Sequence, residues 1–181
     1  MPEPATDRLF SGNDLLAMGE VGPCELIDGR IVSMSPTGAE HGRIEGLVAR
    51  KLGNYVEENA LGWVLAGEVG IYTRRDPDRV RAADVVFVSK TQLPEIPDGF
   101  LEFAPELVVE VISPSDRWQD IRDKIDEYFS IGIQRVWIIE PKAHQILVYS
   151  SPTDAKRFRV GDTLRGELNL DGFDMAVDTV F

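Results

Sequence analysis

The sequence predicts an α/β fold: a mixed β-sheet flanked by helices, with a β-hairpin near the N-terminus. Two long stretches of 3.6-residue apolar periodicity, near 39–58 and 118–132, alternate with β-prone runs. One of those runs, Leu107-Val108-Val109-Glu110-Val111-Ile112, is apolar on both faces except at Glu110, the pattern of a central strand covered from both sides. The 181 residues, 43% hydrophobic and 28% charged, suffice for one domain with a sizeable core and no staples. A single domain over residues 1–181 is therefore expected, with roughly the first 12 residues flexible.

The elements follow in order. Ser11 or Asn13 can cap a short helix carrying Leu15, Leu16 and Met18. Cys24-Glu25-Leu26-Ile27 and Arg30-Ile31-Val32-Ser33-Met34 flank the pair Asp28-Gly29, which suits a type I′ hairpin turn with positive φ at both central residues. Thr37 and Glu40 have the spacing of a capping box, and Ile44, Leu47, Val48, Leu52, Tyr55 and Val56 then recur at helical spacing to about Glu58. Strands are expected at 63–66, 69–73 and 84–88, with a charged turn at 74–78 between the second and third and a loop marked by Pro94 and Pro97.

Ser113-Pro114 ends the central strand, Asp116 with Gln119 offers another cap, and Trp118, Ile121, Ile125, Tyr128 and Phe129 form the buried stripe of a helix ending near Gly132. Strands at 135–139 and 145–149 follow, and the remainder reads as short strands closing the sheet.

Charge narrows the function. With 19 basic against 31 acidic residues the formal charge is −12, which opposes non-specific binding of polyanions and favours divalent cations wherever carboxylates converge. One cysteine, Cys24, excludes an internal disulfide and reads as a small buried residue. No apolar run reaches the roughly 18 residues of a membrane span. The N-terminal residues carry no secretory pattern, so no membrane association and a cytoplasmic location are expected.

An ionised carboxylate in an apolar strand costs several kcal/mol unless a cation, donors or a proton relieve it, so Glu110 needs a partner. Asp84 heads another β-prone run, and adjacent strands would set the two carboxylates side by side, with a proton or a metal such as Mg²⁺ between them. Glu25 on the hairpin and Glu45 on the long helix are further candidates. Lys124, one turn from Ile121 and Tyr128, can pack its stem while its ammonium reaches inward. Metal, carboxylates and lysine together suit phosphodiester hydrolysis.

At these residues the sequence resembles a known family. Glu25-Leu26-Ile27-Asp28-Gly29, Arg81-Ala82-Ala83-Asp84-Val85-Val86-Phe87-Val88, the stretch Glu110-Val111-Ile112-Ser113-Pro114-Ser115 and Asp123-Lys124-Ile125-Asp126-Glu127-Tyr128 are similar to the Uma-two family of "putative restriction endonucleases", a branch of the PD-(D/E)XK nuclease superfamily. The resemblance implies a restriction-endonuclease-like core with metal held by the motif carboxylates. On it, Asp84 matches the motif aspartate, Glu110 the following acid and Glu25 the family's early glutamate.

The superfamily lysine normally lies two residues after the second acid, where this chain has Ile112, and Lys124 matches the family's relocated lysine. Ala83 stands where a proline is usual. Asp84, Glu110, Glu25 and Lys124 are thus the expected catalytic set, the first three on Mg²⁺ or Mn²⁺. His41, at a position where the family commonly has histidine, is a candidate acid/base or phosphate contact.

Each residue also has a plainer reading. Glu110 could be a structural glutamate bonded to backbone or arginine, Asp84 a strand-start cap, Glu25 a cross-strand ion-pair member, Glu45 a solvated helix residue, and Lys124 the partner of Asp120 or Asp123. Arg74, Arg75, Arg79 and Arg81 form the one local basic cluster and could contact phosphates or solvate a hairpin. His144 reads as solvated, and the Trp118 stripe as core rather than a base-stacking platform.

The function expected is a metal-dependent endonuclease acting on nucleic acid, DNA by family analogy, as a homodimer in which each subunit addresses one strand. A non-catalytic binding or assembly module and a hydrolase of a small phosphorylated compound are the rival expectations.

Overall fold

The computed structural model describes residues 8–19 and 21–181. The expectation of a flexible start falls for residues 1–7 outside the described residues. From there, the Phe10 N–H bonds to Gly29 O at 2.7 Å, and Ser11 caps helix α1 (Gly12–Ala17) through a capping box with Asp14.

The hairpin forms as β1 (Cys24–Ile27) and β2 (Arg30–Ser33), with Asp28 at φ 53° and Gly29 at φ 75° as a type I′ turn requires. Helix α2 (Ala39–Glu58) buries Ile44, Val48, Leu52 and Val56. Its N-cap is Gly38 and no side chain caps it, so the Thr37 capping box does not form.

The two strands expected before Asp84 are one bent strand, β3 (Gly62–Arg74), paired antiparallel to β4 (Arg79–Ser89). A register shift between Ala66 and Val69 marks a bulge, with Gly67 at φ 90° and Glu68 at φ 60° in left-handed backbone. The bulge explains the apparent gap between two β-prone runs.

Strand β5 (Leu107–Val111), buried throughout, pairs antiparallel with β4 and parallel with β6 (Arg135–Glu140), which continues through β7 (Gln145–Ser151) to β8 (Asp154–Arg159). The eight-stranded sheet is thus mixed, with β5–β6 its parallel pair. Strands β9 (Thr163–Arg165) and β10 (Asp174–Ala176) do not close this sheet; they pair with each other in a separate one. Their buried Leu164 and Met175 pack instead into the cluster beneath α2.

Helices cover both faces. Val85, Phe87, Val109 and Val111 pack against α2, whereas Val86, Val88 and Val108 pack against helix α3 (Trp118–Ser130) through Ile121, Ile125 and Tyr128. Two further expectations fail here. Arg117 is the N-cap of α3 and no side chain caps it, because the Asp116 carboxylate accepts from the Ser113 N–H instead. Trp118, placed at the helix start before the sheet is reached, is 42% exposed and lies outside the core stripe.

Candidate active site

The site is built where β4 changes neighbours. One edge of β4 is paired with β3; the other meets β1 at Val80 and β5 from Val85 onward. Residues 81–84 on that second edge face a gap in the ladder, and their backbone groups need partners. The Glu25 carboxylate accepts from the Ala82 N–H at 3.1 Å, and the Lys124 ammonium donates to Ala82 O at 3.1 Å. Lys124 Nζ and Glu25 Oε1 are themselves 3.0 Å apart. Asp84 Oδ2 accepts from the Val111 N–H at 2.6 Å, stitching β4 to the end of β5. The β3 bulge lies opposite Asp84, and across it the chain changes sides, with Ala83 packed toward α3 and Val85 toward α2.

Glu110 lies on the α3 side. Its Oε1 accepts from Tyr128 Oη at 2.5 Å, and both oxygens lie 3.3 Å from Lys124 Nζ. Burial pushes its pKa up to about 7, with Lys124 pulling it down and the Asp84 charge adding to the rise. Burial likewise acts to raise Glu25, but Lys124 and Arg81 outweigh it and hold that carboxyl below its usual range. Lys124 is shifted up: burial opposes its charge, and Glu110 and Glu25 overcome the penalty. The structural reading of Glu110 thus takes a specific form, a buried carboxylate held by a phenol and an ammonium. Lys124 pairs with Glu25 and Glu110, and Asp120 and Asp123 are not its partners.

Asp84 is met from the α2 side. His41 Nε2 lies 3.3 Å from Asp84 Oδ2, and His41 Nδ1 lies 3.8 Å from Oε2 of Glu45, one turn along the helix. Glu45 Oε1 accepts from the Gly67 N–H of the bulge at 3.1 Å. The hydrogen bond to Asp84 raises the His41 pKa against the effect of burial, while burial and then the Asp84 charge raise that of Glu45.

Among the described residues, His41, Glu45 and Asp84 each offer a ligand atom within 4.8 Å of the others. Among the described residues, the buried His41 Nδ1 has no hydrogen-bond partner. Two carboxylates and an imidazole suit a divalent cation, with the nitrogen favouring Mn²⁺ over Mg²⁺.

Asp84, Glu110, Lys124 and His41 line one cavity of about 240 Å³. Glu25 and Glu45 stand behind it, Glu25 against Lys124 and Glu45 against His41. Glu68 also lines this cavity, its pKa raised by burial and then by Asp84. Sequence reasoning missed it; the Gly67-Glu68 interruption of a strand pattern, a bulge signal, was the clue available. Tyr128 reads as core by its spacing, but a buried tyrosine also needs a partner for its hydroxyl.

The basic cluster is engaged by acids. Arg74 and Arg79 pair with Asp28, Arg75 with Asp78 and Glu102, and Arg81 with Glu25 and Glu127. Phosphates would have to compete with these carboxylates. His144, exposed as expected, stacks on Phe181 with ring centroids 5.2 Å apart, and Cys24 is half-buried with its thiol pKa pushed up by burial.

The family model described as "Putative restriction endonuclease", Uma2, matches residues 14–178. The chain belongs to the Uma2 family. A solved structure described as "a putative nuclease belonging to DUF820 from Anabaena variabilis ATCC 29413" superposes with a TM-score of 0.80 over 95% of this chain and 97% of that one. At 16% identity, that likeness shows a shared fold. No curated protein matches the sequence. The mixed sheet between helices expected of a restriction-endonuclease-like core is the fold this Uma2 chain adopts, and family and fold together support a nuclease. Among the described residues of this Uma2 protein, no helix is long and apolar enough to cross a membrane.

Proposed function

We propose that this Uma2 protein is a metal-dependent endonuclease that hydrolyses phosphodiester bonds, with DNA as its substrate. The observation that carries the reading is the meeting of Asp84, Glu110, His41 and Lys124 in one cavity. Asp84, His41 and Glu45 would hold a Mg²⁺ or Mn²⁺ ion, and Glu110 faces the same space. When bound, the ion would lower the pKa of water and offset charge on the phosphate. Glu25, with both oxygens engaged by Arg81, Ala82 and Lys124, keeps Lys124 in position and reaches an ion only by releasing one of them.

The remaining chemistry belongs to the chain. Glu110, with a pKa of about 7, is poised to accept a proton from an attacking water near neutral pH. The water oxygen bonds to phosphorus, one P–O ester bond breaks, and the departing oxygen takes a proton. Lys124 carries the positive charge that steadies the phosphate as negative charge builds. A homodimer would let each subunit cut one strand of a duplex.

The test is cleavage of supercoiled and single-stranded DNA in Mg²⁺ and Mn²⁺ by the wild type and by the double variant Asp84→Asn, Glu110→Gln. Wild-type cleavage that vanishes in the variant supports the reading; cleavage that survives rules out the site.

One observation favours a second reading. The Glu25, Lys124, Glu110 and Tyr128 set is already mutually satisfied, as a purely structural network in a non-catalytic binding module would be. Calorimetric titration with Mg²⁺ and Mn²⁺ separates the two, since a module without the site shows no saturable heat sensitive to Asp84→Asn.

A further inference from the structure

Beside the acidic cavity lies a second one, of about 380 Å³, within the size range of small-molecule pockets. Trp118, Ile112, Pro114 and Pro141 line it, together with the charged residues Glu140 and Lys142. The two cavities share His41, Ser113 and Asp116, so an occupant of one adjoins an occupant of the other.

Trp118 is the feature that core packing does not account for. Of the rest of its helical stripe, Ile121, Ile125 and Tyr128 are buried and Phe129 is half-buried, whereas Trp118 stays 42% exposed where it lines the groove. An aromatic ring left partly in water gains by being covered, and a flat indole is best covered by another flat ring.

Charge then selects the ring. With a formal charge of −12 and the arginines of the β3–β4 hairpin paired to carboxylates, the molecule as a whole repels a phosphate backbone. The uncharged part of a nucleic acid escapes that repulsion. Resting on the nuclease reading above, we propose that the Trp118 groove is a base subsite: an unpaired nucleobase stacks on the indole while its phosphate lies in the adjoining acidic cavity. Asp116 and Glu140 also line the groove, and each can accept a hydrogen bond from an exocyclic amino group through the carboxylate oxygen not engaged by the Ser113 N–H or the Gln145 amide. The substrate this selects is single-stranded nucleic acid, or a duplex with a base turned out of its stack, because a paired base cannot present its face to the groove.

The test is fluorescence anisotropy of the full chain in Ca²⁺ with three probes: a labelled single-stranded oligonucleotide, an oligomer of equal length and charge carrying abasic sugars, and the duplex. The wild type is expected to bind the base-bearing single strand roughly tenfold or more tightly than the other two, the scale of a single base–aromatic stack. Trp118→Ala and Trp118→Gln should erase that preference and leave abasic binding unchanged, while Trp118→Phe keeps most of it. Thermal melts confirm that the variants fold; should Trp118→Ala and Trp118→Gln both fail to fold, the quenching of tryptophan fluorescence by the base-bearing strand, expected in the wild type and lost in Trp118→Phe, carries the test.

Equal binding of the base-bearing strand by wild type and Trp118→Ala, an equal loss on the abasic oligomer, duplex binding as tight as single-strand binding, or no binding by the wild type would each overturn the subsite. The two readings fail separately. Trp118-dependent binding without cleavage removes hydrolysis alone, and cleavage with Trp118-independent binding removes the base subsite alone.

Discussion

Tyr128 Oη lies 2.5 Å from Glu110 Oε1, so the one carboxylate inside the buried strand β5 ends on a phenol from the facing helix. Both residues are buried, and the Lys124 ammonium is the other close partner of that carboxylate. Tyr128→Phe removes a donor and leaves a buried acceptor short of one hydrogen bond. The expected loss is about 1–3 kcal/mol of stability, read from urea unfolding midpoints. The loss should be larger at pH 8 than at pH 5, because the ionised carboxylate needs the phenol most.

The pH dependence of folding carries its own sign. The Glu110 pKa is raised from 4.5 to about 7, chiefly by burial, so between those values the folded chain keeps a proton that the unfolded chain releases. With more protons bound in the folded state, this group's contribution to stability falls as pH rises through that window and levels off above it. In EDTA, Glu110→Gln should flatten that fall, measured as the difference in unfolding free energy from wild type between pH 5 and pH 8. A difference that does not change with pH would show that Glu110 is not the group responsible.

Lys124→Met strands the buried Glu110 carboxylate. Lys124 Nζ is 3.0 Å from Glu25 and 3.3 Å from Glu110; Glu25 keeps Arg81 at 2.8 Å, whereas Glu110 is left with the Tyr128 hydroxyl alone. Breaking a buried pair of this kind costs about 3–5 kcal/mol. Denaturant titration near neutral pH should show a loss of that order, shrinking at pH 5 as Glu110 takes up a proton.

His41→Ala distinguishes the two ways of placing a cation around Asp84. Calorimetry should show Mn²⁺ binding weakened by about tenfold or more, with the preference for Mn²⁺ over Mg²⁺ lost along with the nitrogen donor. Glu110→Gln should disturb Mn²⁺ binding less. The reverse pattern would move the ion to the Glu110 side of the cavity.

Local chemistry made much of this legible. Asp28-Gly29 fixes its turn because both residues must take positive φ, and the period of Ile44, Val48, Leu52 and Val56 gives α2 its buried face. Glu110 announced itself by being charged where its neighbours are apolar. What stayed hidden depends on pairings far apart in sequence. The Glu25–Arg81 contact at 2.8 Å spans 56 positions, and Tyr128 reads as another apolar stripe member until its hydroxyl meets a carboxylate. The Gly67-Glu68 bulge looks in the sequence like a break between strands, because an extra residue flips the alternation just as a turn does. Trp118 shares the spacing of the buried stripe yet stays exposed, because periodicity reports which way a residue points and not whether anything covers the first turn of a helix.

The gap beside Ala82 has one more effect. The oxygens of Glu25 and Asp84 that fill it also stand in for a missing strand, answering N–H groups that the sheet would otherwise leave bare. Each lone pair lent to a ligand is withdrawn from the scaffold. Alanine at either position therefore confounds lost chemistry with a loosened sheet, and amide replacements, which keep a carbonyl oxygen for the N–H, are the cleaner probes of what these two residues do.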